Sequence, residues 1–192
     1  MLRRTVTAEI PEGRPGTHAV VFYHDHELAG VVGDYLVRAI NDGGVAIIVA
    51  TPQHRLWVNG WLMQSGIDLA AACAGGSYVV LDASQTLARF LRGGWPDPSA
   101  FWSEIGSVLS SAARRKHGPI CVFGEMVGLL WDGGNFGAAV ELEALWNELA
   151  GQYPFALLCG YRHASVSASR DSDALAQVCF AHSQAVGLPS PA

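Results

Sequence analysis

The feature that most constrains this chain is a set of short apolar runs with no polar alternation. They are His18–Tyr23 (HAVVFY), Val45–Ala50 (VAIIVA), Tyr78–Leu81, Ile120–Phe123 (ICVF) and Phe155–Cys159 (FALLC). Each has strand length and is rich in β-branched or aromatic residues. A strand with one wet face would alternate, so these read as strands covered on both faces. Between them lie segments of helical period. Leu28, Val31, Val32, Tyr35, Leu36 and Ile40 form one stripe, Phe101, Trp102, Ile105, Val108, Leu109 and Ala112 another, and Phe136, Ala139, Val140, Leu142, Leu145, Trp146 and Leu149 a third. Strict alternation of such strands and helices predicts a three-layer α/β fold: a mainly parallel sheet of five or more strands with helices on both faces.

Local signals mark the ends. Asp25 reads as a helix N-cap, and Asn41-Asp42-Gly43-Gly44 stops that helix. Thr51-Pro52 reads as a cap followed by proline at the first helical position. Ser99 is expected to cap the helix before the fourth strand, and the last helix is expected over about Ser172 to Gln184. Residues 1–16 read as a flexible arm, 17–186 as a single domain and 187–192 as a tail.

Charge removes several functions. The net charge is −5, Lys116 is the one lysine, and Arg114-Arg115-Lys116 is the one basic cluster. Nucleic-acid affinity draws on Lys and Arg against phosphate, so direct nucleic-acid binding is not expected. No apolar stretch is long enough for a signal peptide core or a membrane span, so no membrane is expected and the location is read as cytoplasmic. Cys73, Cys121, Cys159 and Cys179 make no C-x-x-C pair and read as buried, reduced thiols. Half of the residues are hydrophobic, which makes self-association, such as a homodimer, plausible.

In a parallel α/β sheet every strand points its C-terminal end to one edge, where ligands bind. Tyr23-His24-Asp25, Thr51, Asp82, Gly124-Glu125 and Gly160-Tyr161-Arg162 would gather there. The first strand–helix junction has no glycine and no lysine, and it carries carboxylates, so it cannot cradle phosphate as a P-loop does. No G-x-S-x-G elbow is present. Glu125, if buried, must be protonated, bonded to backbone or paired with Arg162. His24, Asp25 and His26 have metal-ligand chemistry and would need Glu125 or His163 to complete a set. Glu141 and Glu143 point about 200° apart on one helix and do not form a carboxylate pair. Trp131 and Trp146 could wall an apolar pocket or belong to the core.

The stretches HAVVFYHDHELAGVVGDYL, VLDASQTLARFLRGGWPD, VFGEMVGLLWDGGNFGAAVELEALWNELA and FALLCGY resemble the MEDS domain, a methanogen/methylotroph sensory domain found in the dichloromethane-responsive repressor. The resemblance spans roughly Thr17 to His182. It implies a RecA/KaiC-like fold that has lost its phosphate loop, and a role in sensing small molecules such as hydrocarbon derivatives. It also implies control of an output: a transcription factor, a histidine kinase or a sigma-factor regulator. By position, Tyr23, Asp25, Glu125, Trp146, Cys159 and Tyr161 match family-typical places. The sensory domain fills this sequence, so signalling is expected through a separate protein partner or through self-association. The expected ligand site comprises Tyr23, His24, Asp25, Glu125, Trp131, Trp146, Tyr161 and Arg162, with no catalytic residue assigned and the cofactor unknown. Two other readings stand beside it: a metal-dependent enzyme using His24, Asp25, His26 and Glu125, and a degenerate nucleotide binder that does not hydrolyse.

Overall fold

The computed structural model describes residues 11–115, 118–169 and 171–187. Residues 1–10 of the expected arm, Lys116 of the basic cluster and residues 188–192 of the expected tail lie outside them. The first half runs β1 (His18–Tyr23), α1 (Asp25–Asn41), β2 (Val45–Ala50), α2 (Pro52–Gln64), α3 (Leu69–Ala74) and β3 (Tyr78–Asp82). Then come α4 (Ala83–Phe90), a small hairpin of β4 (Leu91–Arg92) and β5 (Trp95–Pro96), and α5 (Pro98–Arg115). The second half runs β6 (Ile120–Gly124), α6 (Met126–Asp132), α7 (Phe136–Ala150), β7 (Ala156–Arg162), α8 (His163–Ala168), α9 (Ser172–Ala181) and β8 (Gln184–Val186).

Six strands make one sheet in the order β3-β2-β6-β7-β1-β8, with every pairing parallel. The expected three-layer α/β architecture is therefore present. Side chains alternate between two apolar layers. Val20 and Phe22 of β1 face the layer covered by α4 to α7 and α9. Ala19, Val21 and Tyr23 face the layer covered by α1 to α3. Such double coverage explains why the strand sequences show no polar alternation.

Three local expectations are corrected. His24, not Asp25, is the N-cap of α1, and its side chain makes no cap bond. The amide of Ala100 donates to Asp97 Oδ1 at 2.7 Å, so Asp97 caps α5 and Ser99 does not. The last helix stops at Ala181, and the chain continues into β8, which pairs with β1 from Ala19↔Gln184 to Val21↔Val186. Three residues ending in Val186, just before Gly187, carry too little pattern to register as a strand. The Thr51 cap forms as expected, with Pro52 opening α2. The end of the expected arm is tied down, for the amide of Gly16 donates to the Phe155 carbonyl at 2.8 Å.

One close approach sets the layer spacing behind β7. A Cβ on Gly128 of α6 would lie 2.5 Å from the carbonyl oxygen of Gly160. Only glycine lets α6 sit this close to the strand.

Candidate functional site

The carboxyl edge of the sheet is built from strand ends that lie far apart in sequence. Thr51 follows β2, and Glu125 follows the neighbouring strand β6. The Glu125 carboxylate accepts from the Thr51 amide and, at 2.6 Å, from His54 Nδ1. An ionised carboxylate can only accept, so the proton between them sits on Nδ1 of His54. Both side chains are nearly inaccessible, at 3% for Glu125 and 4% for His54. Glu125 is thus satisfied by a backbone amide and an imidazole. Arg162 instead lies 3.6 Å from Asp25 at the surface.

Around this pair the edge is aromatic. Tyr23 meets the His54 ring edge-on at 5.7 Å, and Trp57 lies 5.2 Å from the same ring. Burial, and then the charge of Glu125, push the Tyr23 phenol well above its ordinary pKa, and Arg162 only partly offsets this. Tyr23 is therefore a neutral hydroxyl at any physiological pH. Beyond Trp57 a cleft of about 490 Å³ opens between α1 and α2, lined by Asp25, His26, Ala29, Trp57, Trp61 and Gln64. Its far wall depends on Gly33. Trp61 lies across α1 and donates from Nε1 to Asp34 Oδ1 at 2.8 Å, and a Cβ on Gly33 would fall 2.2 Å from its Cδ1. Gly33→Ala is therefore expected to push the Trp61 indole off α1 and break its bond to Asp34. The readout is a shift and loss of intensity change in tryptophan emission, with a stability loss of about 1–3 kcal/mol by chemical denaturation.

The predicted site residues divide between the two faces of the sheet. Tyr23, His24, Asp25, Glu125 and Arg162 do share the edge. His24 is exposed, with its ring 4.4 Å from His163 and 5.7 Å from His26. Trp131, Trp146 and Tyr161 belong to the layer on the other face. Trp146 packs against Phe101 and Phe155, and Trp131 packs against Phe136 and Tyr161. Among the described residues, His24, Asp25, His26 and Glu125 do not converge as a set of metal ligands. The turn from β1 to α1 is the single residue His24, and Asp25 and Glu27 follow in the first helical turn. A junction this short offers no backbone cradle for phosphate.

Sequence reasoning missed His54, Trp57 and Trp61. The usable signal was the Thr51-Pro52 cap, which fixes His54 in the first turn of a helix starting at the carboxyl edge of the sheet. It also missed a second polar cluster, on the opposite face. Glu143 of α7 is fully buried and accepts from Tyr161 Oη at 2.7 Å. Its carboxylate also lies 3.2 Å from His18 Nε2, 3.2 Å from Cys159 Sγ and 3.4 Å from His182 Nε2. Burial alone would raise the Glu143 carboxyl, but His182 and His18 hold it well below the ordinary carboxylate range. Burial raises the Cys159 thiol, and Glu143 raises it further. The four cysteines carry no disulfide, and Cys73 is exposed, contrary to its expected burial.

The family model for the methanogen/methylotroph, DcmR sensory domain (MEDS) matches residues 17–183. No curated protein matches the chain.

Proposed function

Because this chain belongs to the MEDS family of sensory domains, we propose that it binds a small, largely apolar ligand at the carboxyl edge of the sheet and reports it to a protein partner or a second copy. The observation that carries this reading is the α1–α2 cleft, whose wall residue Trp57 also touches the buried His54–Glu125 pair. A cleft of about 490 Å³ with indole walls and a few polar groups suits a small organic molecule. Asp25, His26 and Gln64 are the polar groups of its lining, Arg162 lies 3.6 Å from Asp25, and Trp57 and Trp61 take the wall role. Contact with Trp57 would bear on His54 and Glu125, and so on the ends of β2 and β6. Leu56 and Met63, seven residues apart on α2 and both exposed, supply the apolar face through which the signal would leave.

A ligand shifts such an equilibrium only by its difference in affinity for two states, about 1.4 kcal/mol for each tenfold. Thermal-shift screening of small chlorinated, alcohol and ketone compounds is expected to find one that raises the melting temperature. Trp57→Ala should abolish that rise and leave the fold intact. Silence across a broad set, or an equal rise in the Trp57→Ala protein, argues against the cleft. Light scattering with and without the ligand separates self-association, which changes the mass, from signalling to a different partner.

A further inference from the structure

The buried cluster around Glu143 lies on the sheet face opposite the cleft, and the sensing role leaves it unexplained. Its donors come from four separate elements: His18 from β1, Cys159 from β7, Glu143 from α7 and His182 just after α9. One ligand atom from each lies within 4.8 Å of all the others. Both imidazoles are held in one tautomer by partners outside the cluster. Asn147, one turn along α7 from Glu143, donates its amide to the Ala181 carbonyl at 3.1 Å. Its Oδ1 therefore faces His18 Nδ1, 2.9 Å away, and must accept from it. His182 Nδ1 donates in the same way to the Val178 carbonyl at 2.6 Å. In its neutral form each ring then directs a bare Nε2 toward the Glu143 carboxylate. Those lone pairs repel the carboxylate unless a proton or a metal ion lies between them. His182 Nε2 makes no hydrogen bond, although its side chain is wholly buried.

The geometry points to a tetrahedral site for a divalent first-row transition ion of zinc type, ligated by His18 Nε2, His182 Nε2, Cys159 Sγ and Glu143. Bond lengths of about 2.0–2.3 Å at a tetrahedral zinc place neighbouring ligand atoms about 3.3–3.6 Å apart. The observed contacts of 3.2, 3.2, 3.3 and 3.4 Å, which run to both Glu143 oxygens, lie at or just below that spacing. Two imidazoles, one thiolate and one carboxylate suit zinc, and they exclude the all-oxygen cages of magnesium and calcium. Charge closes as well. Binding releases the Cys159 thiol proton to solvent, and the thiolate and carboxylate then neutralise the dication in a site without water. The Asn147 and Val178 contacts are the outer partners that metal-bound histidines usually have. With all four positions filled by protein, the ion is structural. It would clamp α7 across β1 and β7 and pin the segment that leads into β8.

The test uses the full chain, stripped with chelator and titrated with zinc, then with cobalt as a coloured substitute. The expected result is one equivalent bound per chain, a melting temperature that rises with free zinc, and a thiolate-to-cobalt charge-transfer band. Cys159→Ser should abolish that band. Because ligand variants can disturb folding, Asn147→Leu is the second variant; Asn147 is exposed and is not a ligand. It should weaken zinc binding about 10–100-fold while the protein stays folded. Absence of binding to folded wild-type protein overturns the site. So does binding without a thiolate band, or binding that Asn147→Leu leaves unchanged. In those cases a proton on His182, paired with Glu143, takes the place of the ion.

Discussion

Trp146→Ala is expected to lower stability by about 3–5 kcal/mol, the usual cost of deleting a large buried aromatic side chain. The indole is 1% exposed and meets Phe101 edge-on at 5.2 Å, with Phe155 at 6.0 Å on another side. Phe101, Phe155 and the β6 backbone at Gly124 border it and are themselves held by packing, so the space closes only in part. A domain of this size has about 5–15 kcal/mol in hand, so this one change removes a large part of the total. The melting temperature should fall by about 6–20 °C. Trp146→Phe keeps one ring against Phe101 and should lose less than half as much. The same pair of variants separates a core role from a ligand wall. If Trp146 lined the ligand site, Trp146→Ala would lose ligand response with stability largely kept.

Glu125→Ala should cost about 2–4 kcal/mol, since it strands two buried donors, the Thr51 amide and His54 Nδ1–H, each worth about 1–2 kcal/mol when unpaired. The Thr51 amide opens α2, so the first turn of that helix should loosen. Hydrogen exchange should speed up over residues 51–57 before it does so elsewhere. Glu125→Gln is the informative control. Its amide oxygen still accepts from Thr51, and His54 can meet the amide NH2 by moving its proton to Nε2. The loss should then be well under that of alanine. Equal losses in the two variants would mean that the carboxylate charge, and not the hydrogen-bonding geometry, holds this edge. In either variant the Trp57 wall loses its support, so ligand response should weaken together with stability.

Much of the fold was legible because burial on two faces writes itself into the strands. VAIIVA and ICVF lack alternation for one physical reason, and the Thr51-Pro52 cap is a local signal that needs no tertiary partner. β8 was illegible because three residues at the edge of a sheet take their register from β1, not from their own pattern. Asp97 displaced Ser99 as a cap because the position of the hairpin before α5 decides which side chain reaches the free amides. At the edge, the gathering of Tyr23, Asp25, Glu125 and Arg162 followed from strand polarity alone. Trp131, Trp146 and Tyr161 could not be assigned in that way, since period and composition do not say which side of the sheet a helix covers or which side a buried strand residue faces.

The sequence by itself determined the layered α/β class, the absence of a phosphate loop and the presence of Glu125 at the carboxyl edge of the sheet. These depend on composition and on periods of two to four residues, which survive without coordinates. Only the tertiary structure decided which groups meet Glu125 and Glu143. His54 reaches Glu125 across 71 residues, and His18 reaches Asn147 across 129. Contacts of that span depend on helix placement over the sheet, and a buried carboxylate draws its meaning from whatever is packed against it.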